Sequence, residues 1–302
     1  MVKILVADKI HEDGVKLLRE AGEVEVATDL EPEDLVRKVK DFEVLVVRSA
    51  TKVTKDVISA GKELKLVARA GVGLDNIDVK AAEGAGIKVL NAPEAPTTAV
   101  AELALGLMLS FARKIPQADL SMKQGKWEKK QMMGTELRGK ALGVIGTGKI
   151  GQAVAERAKV FGMSLLFYDV VKNEEFAKRV GARYVGLETL VKSSDYITIH
   201  VPLLPQTKNM IGARELSMMK QTAVLVNTSR GAVVDEAALV KSLEERKIAG
   251  ACLDVYWQEP PVGSPLLKLQ NVVLTPHVGA SSVEAQRDAA VIIADKIKKE
   301  LK

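Results

Sequence analysis

Short runs of apolar, largely β-branched residues recur along the chain, and stretches of helical periodicity lie between them. In the first hundred residues these runs fall at 4–7, 24–27, 44–47, 66–68 and 87–90, with amphipathic stretches such as 12–20 and 33–39 between them. The second part repeats the alternation at 142–145, 165–168, 196–199, 223–226, 251–255 and 272–274. Runs this short and this apolar predict strands buried on both faces, and their alternation with helices predicts βα units and parallel sheets. No sequence repeat accompanies the recurrence, and no low-complexity linker divides the halves. The predicted class is α/β, with two domains each built on a parallel sheet.

Two helices depart from the amphipathic norm or from its expected place. The stretch 97–114 joins the two parts, with Thr97 or Thr98 as a plausible N-cap after Pro96 and Arg113 and Lys114 suited to the last turn. Between Ala101 and Phe111 it is apolar on nearly every face, so it must be covered all round. A partner subunit on one side is one solution; a place between the chain's own domains is the other. The last helix, 282–301, is long and amphipathic and lies beyond the second set of strands. Its return to the first domain gives expected boundaries of 1–97, completed by 282–302, for that domain and 98–281 for the second.

Length and composition agree with this picture. A chain of 302 residues suits two domains, since single domains commonly run to roughly 100–200 residues. Aromatic residues make up only 4% of the chain, so the cores must be built from aliphatic side chains. The net charge of +5 is spread along the chain with no basic tract alternating with aromatics. That distribution favours small anions over nucleic acid. Cys252, the one cysteine, excludes an intrachain disulfide, implies a reducing compartment, and sits in an apolar run as an inert thiol. The first residues carry no signal-peptide layout, and the apolar stretch 99–112 is broken by Glu102 and too short to span a bilayer. A cytoplasmic location is therefore expected.

The chemistry concentrates at two places. Gly146-Thr147-Gly148-Lys149-Ile150-Gly151 follows an apolar run and opens a helical stretch. In a strand–turn–helix the first glycine permits the turn, the second lets backbone approach a pyrophosphate, and the third allows close packing of helix on strand. The next apolar run ends on Asp169, at about the ~20-residue spacing of an acid that binds the adenosine ribose. No arginine follows it to receive a 2′-phosphate; Lys172 is the nearest cation. NAD rather than NADP is expected.

Further along, Arg230, Glu259 and His277 each follow a predicted strand, so all three project at the carboxyl edge of one sheet. An isolated residue of any of these types is ordinarily a surface or capping group. A cation, an acid and an imidazole together suit hydride exchange with a 2-keto acid. Histidine moves the proton near working pH, a carboxylate orients and charges it, and a guanidinium grips the substrate carboxylate as a fork. Neither zinc-ligand spacing, a phosphate loop of the Walker type nor a serine elbow is present. In the first domain, Arg69-Ala70-Gly71-Val72-Gly73 offers consecutive N–H groups to a carboxylate. Arg48, Ser49, Thr51 and Lys52 supply more cations and hydroxyls than one carboxylate needs, which suits a second anionic group on the substrate or an ordinary solvated loop.

The fingerprint, Asp169, the Arg230/Glu259/His277 trio and Val201-Pro202-Leu203-Leu204-Pro205-Gln206-Thr207 together resemble the D-isomer-specific 2-hydroxyacid dehydrogenases over the whole chain. The segments 48–53, 69–76, 125–128 and 133–137 resemble the D-3-phosphoglycerate dehydrogenase branch of that family. The resemblance implies a Rossmann-type NAD-binding domain, 98–281, inserted in a flavodoxin-like substrate-binding domain, 1–97 with 282–302. It implies Arg230 as substrate-binding residue, Glu259 as its relay acid and His277 as proton donor. It implies cofactor contacts at Gly146, Gly148, Lys149, Ile150, Gly151, Asp169, Val201, Pro202, Thr207, Thr228, Ser229, Asp254, Gly279 and Ala280. Substrate contacts are implied at Arg48, Ser49, Arg69, Val72, Gly73 and Lys129, with a homodimer formed through residues 98–136. Lys129 is a departure, because some relatives place there an arginine that reaches the partner's phosphate site; lysine keeps the charge and loses the fork. The chain also stops at Lys302, without the regulatory domain that many members append. Oxidation of D-3-phosphoglycerate, the first step towards serine, is the expected activity. Reduction of glyoxylate, hydroxypyruvate or another 2-keto acid is the first alternative, and a nicotinamide-sensing corepressor-like protein the second.

Overall fold

The computed structural model describes residues 1–301. Cα proximity divides the chain into two units, Met1–Ala99 with Ala280–Lys302, and Val100–Gly279.

In the first unit five strands, β1 (Lys3–Val6), β2 (Glu23–Val26), β3 (Val44–Val47), β4 (Leu66–Arg69) and β5 (Lys88–Asn91), form a parallel sheet in the order β2-β1-β3-β4-β5. This is the flavodoxin-like order, with its reversal of direction beside β1 and β3. All four residues of β3 are buried, because the central strand is covered on both faces. One face packs Leu5, Leu45, Val47 and Val67 against helices from the unit's own interior. The other packs Ile4, Val6, Val44, Val46 and Leu66 against Ala289, Ile293, Ala294 and Ile297 of the last helix, Val283–Glu300. That helix starts at Ser282, whose hydroxyl caps the N–H of Ala285 at 3.1 Å. It lies so close to the helix Glu12–Arg19 that a Cβ on Gly14 would come within 2.6 Å of the Ala290 methyl. The Arg287–Asp13 and Lys298–Glu20 ion pairs flank this approach.

The second unit carries seven parallel strands, β6 (Ala141–Ile145), β7 (Ser164–Tyr168), β8 (Arg183–Tyr184), β9 (Tyr196–Ile199), β10 (Val224–Asn227), β11 (Gly250–Leu253) and β12 (Val272–Leu274). Their order, β12-β11-β10-β9-β6-β7-β8, is the doubly wound dinucleotide-binding arrangement extended by one edge strand. β8 is the strand that the apolar pattern did not predict. It has two residues at the sheet edge, neither fully buried, so no apolar run marks it.

The connecting helix spans Thr97–Ala112. Ala101, Ala104, Leu105, Leu107, Met108 and Ala112 join the core of the second unit, and Phe111 packs over Gly250. Glu102 and Gly106 are exposed, and Leu103, Leu109 and Ser110 are half-buried. The chain's own fold thus covers one side of this helix. Thr97 and Thr98 both lie inside it, so neither is its cap; the Thr97 hydroxyl instead donates to the Glu94 carbonyl at 3.0 Å, and Arg113 and Lys114 fall beyond the last turn. No helix among the described residues is long and apolar enough to cross a membrane.

Candidate active site

The glycine fingerprint forms the turn between β6 and the helix Lys149–Val160. Gly146 has φ +90°, in the left-handed region, and a Cβ there would meet the His200 carbonyl oxygen at 2.6 Å. A Cβ on Gly151 would stand 1.9 Å from the Gly146 oxygen, so the helix can start here only because that position has no side chain. At Gly148 a Cβ would meet nothing within 4 Å. The turn therefore leaves open space over the backbone at its second glycine, beside a helix N-terminus whose N–H groups favour an anion. Lys149 is exposed at the same place.

Asp169 follows β7. Its Oδ2 accepts the Thr147 N–H at 2.6 Å, and its Oδ1 accepts the Val171 N–H at 3.0 Å. The carboxylate is thus held by backbone from both the fingerprint turn and its own loop. Val201 and Pro202 follow β9, and the Thr207 hydroxyl closes their loop by donating to the Pro202 carbonyl at 2.6 Å and accepting the Leu204 N–H at 2.8 Å. Thr228, only 8% exposed after β10, has a buried hydroxyl with no hydrogen-bond partner. A buried hydroxyl without a partner costs free energy unless a ligand completes it. The open backbone at Gly148, the fixed carboxylate of Asp169 and the orphaned Thr228 hydroxyl fit a dinucleotide laid along this sheet edge.

Three loops at the same edge bring the catalytic candidates together. After β10, Asn227 braces its loop by accepting the Ser229 N–H and donating to the Arg230 carbonyl, each at 3.0 Å. After β11, Tyr256 anchors its hydroxyl on the Thr275 carbonyl at 2.9 Å, and its N–H donates to Glu259 Oε1 at 3.1 Å. Glu259 Oε2 lies 2.6 Å from His277 Nδ1. That bond, with the charge behind it, raises the His277 pKa above its ordinary value against the opposing pull of burial and of Arg230. Burial works to raise the Glu259 carboxyl, but His277, the Tyr256 N–H and the Arg230 guanidinium together hold it below its ordinary value. With Nδ1 engaged, Nε2 is the nitrogen left to exchange a proton with a substrate.

Asp254 was expected among the cofactor contacts, and its carboxylate has a clear task within the protein. It is 1% exposed and accepts the Thr275 hydroxyl at 2.6 Å and the N–H groups of Val278 and Gly279, both at 2.8 Å. This grip surrounds His277, whose backbone is left-handed at φ +52°. A non-glycine residue there carries a strain of about 1–2 kcal/mol, which the three bonds to Asp254 offset. Ala280, the last of the expected cofactor contacts, begins the return into the first unit.

In the first unit, the loop after β3 is pinned from below. Asp8, 6% exposed, accepts the Thr51 hydroxyl at 2.7 Å and the N–H groups of Arg48 and Thr51. The Arg48 carbonyl accepts from Asn76 Nδ2 at 3.0 Å and from Arg69 Nε at 2.9 Å. Arg69 also donates to the Gly73 carbonyl. It therefore ties the 48–51 and 69–73 loops together, while Asn91 Nδ2 donates to the Val72 carbonyl. Arg48 is half-buried and Ser49 and Lys52 are exposed. Lys129 is exposed on the segment that follows the helix Ile115–Lys123. Asp8 and Asn76 escaped sequence reasoning as organisers of this loop. One lies just past β1 and the other sits in a turn, and each is brought onto Thr51 only by the fold, across 43 and 25 residues of sequence.

A groove of about 700 Å³ lies elsewhere, beside the helix Glu236–Glu244 and floored by Val240 and Trp257, and it contains none of the predicted site residues.

Residues 105–279 match the family model described as "D-isomer specific 2-hydroxyacid dehydrogenase, NAD binding domain". The chain is similar to a D-3-phosphoglycerate dehydrogenase of Methanocaldococcus jannaschii, 54% identical over 100% of this chain and 58% of the relative. It is similar also to a hydroxypyruvate reductase of Thermotoga maritima, 49% identical over 99% of this chain and 98% of that protein. Among solved structures, a glyoxylate reductase from Paecilomyes thermophila superposes with a TM-score of 0.89 at 31% identity, covering 100% of this chain and 95% of the other. The chain spans little more than half the length of the phosphoglycerate dehydrogenases it matches.

Proposed function

The chain belongs to the D-isomer-specific 2-hydroxyacid dehydrogenases, and from that premise we propose that it oxidises D-3-phosphoglycerate to 3-phosphohydroxypyruvate with NAD. The observation that carries the reading is the 2.6 Å bond between His277 and Glu259 at the sheet edge that also carries the fingerprint. Bound NAD supplies the hydride acceptor. His277, neutral at Nε2, takes the proton of the substrate hydroxyl, and Glu259 stabilises the imidazolium that results. In the reverse direction the same imidazolium protonates the carbonyl oxygen. Arg230 grips the substrate carboxylate and polarises the adjoining carbonyl. In the first unit, the N–H groups of Val72 and Gly73 suit a carboxylate, and Arg48 is assigned to the phosphate.

A homodimer is part of this reading. Ile115, Leu120, Met122, Trp127 and Met133 are 50–79% exposed within 19 consecutive residues beside the half-covered helix Thr97–Ala112. Exposed apolar side chains gathered in this way are covered best by a second copy of the chain. Lys129 and Lys130 belong to the same segment, so a partner would bring those charges to the substrate's phosphate.

One observation favours a second reading, reduction of hydroxypyruvate or glyoxylate: the hydroxypyruvate reductase of T. maritima matches this chain over nearly the whole of its length. Arg48→Ala separates the two. On the first reading it lowers kcat/KM for phosphoglycerate by roughly tenfold or more, the cost of a charge-assisted hydrogen bond, and spares unphosphorylated D-2-hydroxy acids. Equal damage to both substrate types, or higher kcat/KM with the unphosphorylated acids in the wild type, would replace it by the second.

A further inference from the structure

Tyr184 ends β8, the edge strand that no apolar run announced, and its hydroxyl lies inside a chain of hydrogen bonds that leads to Asp169. The Asn173 N–H donates to Tyr184 Oη at 2.9 Å. Tyr184 Oη lies 2.8 Å from Thr147 Oγ1, and Thr147 Oγ1 lies 3.1 Å from Asp169 Oδ2. The direction of every bond follows from chemistry. An ionised carboxylate only accepts, so Thr147 must give Asp169 its single hydroxyl proton. Thr147 can then only accept from Tyr184, whose own proton is thereby spent. The relay runs one way, from the start of the helix Glu174–Val180 through Tyr184 and Thr147 to Asp169. Thr147 is 4% exposed, so water competes poorly for its hydroxyl. The Tyr184 ring is fixed edge-on against Phe167, with centroids 5.5 Å apart, and the Lys172 ammonium stands 5.9 Å over its face.

We propose that Tyr184 is a positioning residue for dinucleotide selectivity, holding Asp169 through Thr147 in the orientation that accepts a ribose diol while its ring retains Lys172. Asp169 rejects a 2′-phosphate by charge, and a carboxylate fixed on Thr147 cannot swing aside to admit one. Lys172 is the nearest cation in sequence that could neutralise such a phosphate, and cation–π attraction draws it to the ring instead. The inference rests on reading Asp169 as the ribose acid, and the test separates the two claims.

Equilibrium binding of NADH and of NADPH to the full chain, followed by nicotinamide fluorescence without substrate, is the measurement. Wild-type protein binds NADH the more tightly. Tyr184→Phe keeps the ring and removes the relay, so NADH affinity falls about three- to tenfold while NADPH affinity holds or rises, with the melting temperature of the cofactor-free protein little changed. Thr147→Val reproduces this loss and Thr147→Ser, which keeps the hydroxyl, restores wild-type binding. The double variant Tyr184→Phe/Thr147→Val is no worse than Thr147→Val, because both act through one chain. Equal weakening of both cofactors, or an unchanged preference, in Tyr184→Phe and Thr147→Val overturns the proposal for Tyr184 and leaves Asp169 standing. A wild-type protein indifferent between NADH and NADPH overturns both.

Discussion

At the scale of single residues the proposed mechanism rests on one imidazole kept basic by one carboxylate. On that mechanism His277→Ala removes the proton-exchanging group, and turnover should fall by about 10²–10⁴-fold, the usual contribution of a placed acid or base. NADH affinity, read by fluorescence titration, stays near that of the wild type. Glu259→Gln tests the tuning instead. The His277 pKa lies above its ordinary value of 6.5 because the Glu259 hydrogen bond and charge favour the imidazolium. Oxidation of a hydroxy acid needs the neutral ring, so its rate falls as pH drops through that raised pKa. Reduction needs the imidazolium and falls as pH rises through it. Removing the Glu259 charge lowers the pKa, so the limb moves to lower pH in both directions, and pH profiles of kcat/KM in the two directions check the sign. A second histidine shows the opposite tuning: burial pushes His200 down to about 3, so beneath the fingerprint it stays neutral across the working range. Cys252 is driven up by the same burial, and its thiol stays protonated.

Among the elements, loops carry the function and strands carry the loops. The 275–279 loop is held by the one buried carboxylate of Asp254. Asp254→Asn keeps an acceptor for Thr275 and Val278 but turns an amide N–H₂ towards the Gly279 N–H. Loss of a charge-assisted bond costs about 1.5–3 kcal/mol. The expected result is a lower melting temperature, together with a fall in kcat that exceeds any change in NADH affinity, because the loop sets the His277 ring. Eleven of the twelve strands among the described residues coincide with apolar runs in the sequence, since central parallel strands are buried on both faces and read as continuous hydrophobic runs. β8 escaped for the complementary reason, being short, half-covered and at an edge. The Arg230, Glu259 and His277 loops were legible because each follows a strand, and strand ends in such sheets face ligands. The hydrogen-bonding partners that organise the His277 loop and the Arg48 loop were not. Asp8, Asn76 and Asp254 act on residues 21 to 43 positions away, and no local pattern announces a contact of that range.

For the whole molecule, the exposed apolar side chains of residues 115–133 set a test of assembly. Replacing Leu120 and Met133 with aspartate should convert a dimer to a monomer by sedimentation velocity, since both side chains are more than half exposed in the single chain and their loss costs the fold little. If Lys129 acts across that interface, the monomer loses phosphoglycerate selectivity while it still binds NADH. The last helix has a consequence of another kind, in the order of events during synthesis. The first sheet is made before the second, but Ile4, Val6, Val44, Val46 and Leu66, partly covered by Leu18, complete their cover with Ala289, Ile293, Ala294 and Ile297, more than two hundred residues later. The strands and core of the second unit are by then complete in sequence, and domains fold as units once their chain is available. The first unit therefore closes only after the second has been made, and the part of its apolar face that Leu18 does not reach waits for the helix Val283–Glu300.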